Sequence, residues 1–275
     1  RYITYAMLFT RGIELIGPQG TNVDHMIANQ GKMNKNGRRN YKGFAPHVQP
    51  KLDTTGNLGI NCILRHTCMG EPFPQFMDAA SYSKVPQYRA LWSLAPISGK
   101  TMGEHWRTVF DAHNIHTGKT THQGRRSLQQ KLSDVGVDSC HIERHCGYEE
   151  KGGAKVNTSQ KLSYLCNPPV QAVVASAGGQ PNRTTSHCPL WSTVEVSQEL
   201  VDAVAPYISA EMKLVEDLTA SLPNWNKKYH FGMFMAHGCL SCLHLRVTRA
   251  LQMAATRPYD HKGNLQVSSP PIYLE

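Results

Sequence analysis

The stretch between Thr121 and Gly136 constrains the fold most. Leu128, Leu132 and Val135 recur at i, i+4 and i+7, the spacing of one α-helical face, with Thr121 placed to cap the start and Gly136 to end it. A helix over residues 122 to 135 sets His122 and Arg125, at i and i+3, on neighbouring positions beside that apolar stripe. Two such side chains can converge on one phosphate at the edge of a core. The same pattern also fits a solvated basic helix face with a capping histidine.

The rest of the chain reads as mainly helical. Apolar periodicity predicts helices over 1 to 15, 60 to 68, 101 to 115 and 139 to 146, a further helix after Pro168-Pro169, and two long stretches at 196 to 221 and 231 to 255. Pro206 is expected to kink the first of these two. Residues 22 to 29 and 38 to 48 read as two strands around Asn36-Gly37, a tight-turn dipeptide that predicts a small antiparallel hairpin. Lys32, Lys35, Arg38, Arg39 and Lys42 crowd this hairpin, either protecting a soluble edge or reaching for phosphates. A polar, Pro-rich connection covers 71 to 100, and Gln180 to His187 reads as a linker. Residues 1–180 are expected to form a core and 181–275 a C-terminal helical extension.

Charge narrows the partners. The 275 residues carry a formal net charge of +9, and the pI is near 9.2, so a polyanion, nucleic acid first, is the natural ligand. No apolar run is long enough to cross a bilayer, and the first residues lack the layout of a secretory signal, so the expectation is a soluble intracellular protein with no membrane partner. The start at Arg1 within a patterned segment suggests that an upstream N-terminal domain is absent. The eight cysteines are scattered through a chain too large to depend on disulfides, so free thiols are expected. His237-Gly238-Cys239-Leu240-Ser241-Cys242-Leu243-His244 and the Cys140-His141 and His145-Cys146 pairs have a metal-like look, but the first lacks a second ligand pair and both fit buried helices. The sequons at Asn157 and Asn182 are discounted without a secretory signal.

Taken in order, Arg11-Gly12-Ile13-Glu14-Leu15, the hairpin with Gly31-Lys32, Thr121-His122-Gln123-Gly124-Arg125, Gly147-Tyr148 and Tyr164 resemble the catalytic boxes of the tyrosine recombinases. The similarity is closest to the Crypton-type branch, which includes the DNA-binding domain of the main subunit of the fungal centromere-binding complex. It extends through Asn167-Pro168-Pro169 and Ala175-Ser176-Ala177-Gly178-Gly179 to Val201–Ile208 and Phe231–Ala250. The resemblance implies a recombinase-like, mainly α fold with a small hairpin sheet, acting on double-stranded DNA in the nucleus, as a homo-oligomer whose subunits exchange a helix.

It also implies roles. Arg11 and Arg125 would clamp the non-bridging oxygens of the scissile phosphate with planar donors. Lys32, or less favourably Lys35, would protonate the departing 5′ oxygen, and His122 would assist proton transfer from the nucleophile. Tyr164 would form a 3′-phosphotyrosyl link. Lys35, Arg38, Arg39, Lys42, Lys119 and Arg126 would hold the DNA backbone. The arginines supply the positive charge, so neither metal nor cofactor is called for. Two departures stand out. Tyr148 occupies a position usually held by His or Trp, where a phenol can still donate one hydrogen bond, and the interval to Tyr164 is lengthened by Lys151-Gly152-Gly153-Ala154-Lys155. A DNA-binding module on the same fold without chemistry, serving a centromere, architectural or regulatory role, is the alternative. A zinc-dependent interaction domain is a third reading.

Overall fold

The computed structural model describes residues 8–9, 24–28, 40–78, 81–82, 85–86, 88–89, 95–118, 120–146, 169–183, 187–221 and 227–256. Most of these residues are helical. Three short strands, β1 (Leu8–Phe9), β2 (Asp24–Ala28) and β3 (Asn40–Phe44), pair antiparallel with β2 in the middle. Leu8 faces Met26 and Asp24 faces Phe44 in the register. Leu8 and Phe9 are therefore extended, not part of the helix expected over 1 to 15. Their apolar side chains suit either element, and pairing with β2 decides between them.

Helix α1 (Thr54–Ile63) is built from weak helix formers, Thr-Thr-Gly-Asn-Leu-Gly, so its own propensity cannot hold it. Asp53 caps it, its Oδ1 accepting from Gly56 N at 2.6 Å while its Oδ2 accepts from His47 N at 3.0 Å. Packing supplies the rest. The glycines let α1 lie directly on the C-terminal helix Lys227–Ala255: a Cβ on Gly59 would stand 1.9 Å from the Arg246 carbonyl oxygen, and one on Gly56 2.0 Å from Met253 Sδ. Beyond Ile63 the chain widens into a π turn, Leu64–Cys68, which buries Arg65 and His66. The helix expected over 60 to 68 thus starts six residues earlier and changes pitch midway.

Among the described residues, four helices follow α1 before the C-terminal group: α2 (Gly99–Ala112), α3 (Thr120–Asp134), α4 (Ser139–Cys146) and α5 (Val170–Ser176). The next, α6 (Gln198–Val204), stops at Ala205, and α7 (Pro206–Ser221) begins with Pro206 as its first residue. Pro206 therefore breaks the expected continuous helix instead of kinking it. Its ring would strike a carbonyl one turn back and it has no N–H to give, whereas at a first helical position neither matters. The last helix, α8 (Lys227–Ala255), is 29 residues long, about 43 Å at 1.5 Å per residue.

One apolar cluster joins Cys62, Phe76 and Tyr82 to Val201, Ile208, Val215, Leu240, Leu243 and Val247. Residues on both sides of position 180 build it, so α6 to α8 share a core with residues 62–82. A second cluster holds Leu132, Val137, Ile142, Cys146, Ala172 and Ala175, with Leu128 against it, and thereby ties α3, α4 and α5 together. Segment 45–53 is bonded to α5 and the 187–191 segment: Val48 N donates to Ala177 O at 2.8 Å, His187 Nε2 to Pro46 O at 2.8 Å, and Trp191 Nε1 to His47 O at 2.8 Å.

Candidate nucleic-acid interface

Helix α3 carries the described part of the predicted site. It starts at Thr120, so Thr121 lies in the first turn and does not cap it. Its end follows the sequence closely. Gly136 takes a left-handed φ of 78°, Gly136 N donates to Ser133 O at 3.0 Å, and Val137 N reaches back to Leu132 O at 3.0 Å, a Schellman closure that needs a residue without a Cβ penalty. Leu132 is fully buried and Leu128 packs beside it, but Val135 is exposed. The expected stripe is therefore cut short at its third member, because the chain turns away at Gly136 before Val135 can reach the core.

His122, Arg125 and Arg126 are all exposed on this helix. Running from Arg125 to Leu128 and Leu132 follows steps of three and four residues along one face, so the face that anchors α3 in the core emerges into solvent at its N-terminal half. His122 and Arg125 stand one turn apart there. Lys131 is exposed further along, close enough to His47 that its charge, after burial, lowers the His47 pKa.

The other predicted residues fall largely elsewhere. Arg11, Lys32, Lys35, Arg38, Arg39, Lys119, Tyr148 and Tyr164 lie outside the described residues. Lys42 belongs to β3, opposite Met26.

Helix α2 precedes this face. Ser98 caps it, its Oγ accepting from Thr101 N at 3.0 Å, and it ends in a second Schellman closure at Asn114, whose φ is 55°. It is amphipathic, yet none of its residues is buried, and Trp106 and Val109 are exposed. Between its C-terminal half and the start of α3 lies a cleft of about 460 Å³, lined by Arg107, Phe110, Asp111, Ile115, His116 and Thr120 among others. Sequence reasoning treated this region only as helix and turn. The available signal was two pairs of an aromatic and a charged residue, Trp106-Arg107 and Phe110-Asp111, standing one turn apart ahead of His116.

A buried ionic cluster also lay hidden in what read as a polar connection. Arg65 grips Glu71 with two bonds, Nε to Oε2 at 2.7 Å and Nη2 to Oε1 at 2.6 Å, and Arg89 adds a third contact to Oε2. Burial pushes the Glu71 carboxyl up, but the Arg65 hydrogen bonds and the two guanidinium charges outweigh it and hold Glu71 below the usual carboxylate range. Arg65 Nη1 also donates to Pro86 O at 2.8 Å and His66 Nδ1 to Glu71 O at 2.9 Å, which marks the cluster as a clasp on the 64–89 segment.

The metal-like runs separate in space. Cys239 and Cys242 are buried in the large core, and burial pushes the Cys239 thiol up to about 12. His237 faces Glu216 at 3.5 Å, while His244 meets Gln198 Oε1 at 3.1 Å. Cys140 is exposed and Cys146 buried. Among the described residues no three His, Cys, Asp or Glu side chains gather closely enough to hold a metal ion, and no helix is long and apolar enough to cross a membrane.

No family model matches the chain, and no curated protein is significantly similar to it.

Proposed function

We propose that this chain is a DNA-binding domain of the tyrosine-recombinase kind, with a recombinase-like fold and hairpin sheet, which cuts and rejoins double-stranded DNA. The reading rests on the exposed His122 and Arg125, held one turn apart on a helix whose next turns are fixed in the core by Leu128 and Leu132. A rigidly mounted imidazole and guanidinium suit a phosphate better than the same groups on a loop.

In the proposed reaction the Tyr164 oxygen attacks phosphorus and the bond to the 5′ oxygen breaks. Lys32 gives that oxygen its proton, and His122 assists removal of the phenolic proton. Arg11 and Arg125 hold the two non-bridging oxygens as charge builds on them. The phosphotyrosyl link keeps the energy of the broken ester for rejoining, so no external energy source is needed. Lys35, Arg38, Arg39, Lys42, Lys119 and Arg126 contact the backbone phosphates, and the working form is a homo-oligomer on DNA in the nucleus.

Incubation with a nicked duplex that traps covalent intermediates tests the chemistry. Wild type should give a protein–DNA adduct, Tyr164→Phe none, and Arg125→Ala a yield lowered roughly 100-fold or more, the usual cost of removing one transition-state donor. Affinity should fall steeply between about 50 and 200 mM salt as phosphate contacts release counterions. Tight, salt-sensitive binding with no adduct on any substrate would identify the non-catalytic DNA-binding module on the same fold instead.

A further inference from the structure

The cleft between α2 and α3 joins three kinds of surface. Phe110 and Ile115 form an apolar wall, Arg107 and His116 bring nitrogen donors, and Asp111 brings a carboxylate acceptor. Thr120, in the same first turn as His122, closes one end. At about 460 Å³ the space lies within the roughly 300–1,000 Å³ range of small-ligand sites. It is far roomier than a single phosphate needs. Trp106, one turn earlier on α2 and exposed, holds its ring 5.7 Å from that of Phe110.

We propose that this cleft receives one unstacked nucleotide of the bound DNA, next to the phosphate held by His122 and Arg125. The base lies against Phe110 and Ile115, Asp111 accepts from an exocyclic amino group, and Arg107 and His116 hold the adjoining phosphate. Aromatic faces accept any base, and a carboxylate favours one that donates, as cytosine N4 does. The proposal deepens the reading of the site given above and rests on it. An unpaired nucleotide beside the reacting phosphate would widen the approach of the tyrosine and select substrates whose bases open readily.

The test compares fluorescence anisotropy titrations of two labelled duplexes of equal length, one fully paired and one with a single unpaired cytosine, at fixed salt. Wild type should bind the second about tenfold more tightly, the scale of one base stacked on an aromatic side chain. Phe110→Ala should erase most of that preference while changing affinity for the paired duplex less than about twofold, whereas Arg107→Gln, which also removes a phosphate contact, should erase the preference while weakening binding to both duplexes. Should Phe110→Ala fail to fold by thermal melting, the exposed Arg107 and His116 still carry the test through Arg107→Gln and His116→Ala. Equal binding of both duplexes by wild type, or a preference that survives these substitutions, overturns the cleft assignment and leaves the DNA reading standing. Absence of salt-sensitive binding to either duplex overturns the DNA reading itself.

Discussion

The seam between α1 and α8 and the pair α2–α3 are both helical, but they are opposite in how they meet their surroundings. In the seam, glycines bring backbones into contact, and Arg246, Leu243 and Val247 are almost wholly buried. Helix α2 buries none of its residues, and the N-terminal half of α3 exposes His122, Arg125 and Arg126. A close seam holds a fold but offers nothing to a polyanion. An exposed helix anchored at only one end can present donors, because its packing is carried by a few residues such as Leu128 and Leu132.

The sharpest way to break this contrast is through Glu71, whose side chain is only 8 % exposed between Arg65 and Arg89. Glu71→Ala leaves two guanidinium groups facing each other in a nearly dry site and should cost about 3–5 kcal/mol in urea unfolding. A loss below about 1 kcal/mol would mean that water reaches the cluster freely. Next comes Gly59→Ala, where the new Cβ meets backbone and cannot be relieved by a side-chain shift, so about 3 kcal/mol should be lost.

Acid should weaken the core by a smaller amount. Burial lowers the pKa of His47, His66 and His187 from 6.5, against the hydrogen bonds that favour their charged forms. The unfolded chain then takes up protons first. The stability tied to these neutral rings is whole above about pH 6.5 and is lost as pH falls through their lower folded values, with Glu71 adding a loss of the same sign below 4.5. Tm measured from pH 7.5 to 5.0 should fall, and a flat or rising profile would contradict the buried, neutral state of these rings.

The smallest effect has the opposite sign. A Cβ added at Gly103 on α2 would meet nothing within 4 Å, so Gly103→Ala should stabilise by about 0.5–1 kcal/mol, as expected for an exposed helix interior. A destabilised Gly103→Ala would show that α2 is covered in solution.

Local grammar was legible in the sequence wherever short-range chemistry decides. Leu128 and Leu132 at helical spacing, Gly136 at a helix end and the exposed His122–Arg125 pair all follow from neighbours within two turns. Where a distant partner decides, the reading failed. Leu8 and Phe9 looked helical until β2 paired with them. Thr54–Gly59 fell outside the helix expected from residue 60, because the surface that compensates for its weak helix formers lies almost two hundred residues away on α8. The polar stretch after residue 70 gave no sign of Glu71 seated between two arginines, since charge alone does not say which side chains share a cavity. For the candidate site, the sequence identified the residue types on α3 but missed the cleft beside them, which exists only through the relative placement of α2 and α3.

By itself, then, the sequence determined a helix-dominated, basic chain and the positions of several helix ends, because caps, glycines and apolar spacing act over a few residues. Only the tertiary structure decided that α8 is the spine against which α1 closes and that Arg107, Phe110 and His116 share one space with Thr120 of the next helix. Those outcomes depend on how separate elements are placed against one another, and contact of that kind is a property of shape that no local pattern encodes.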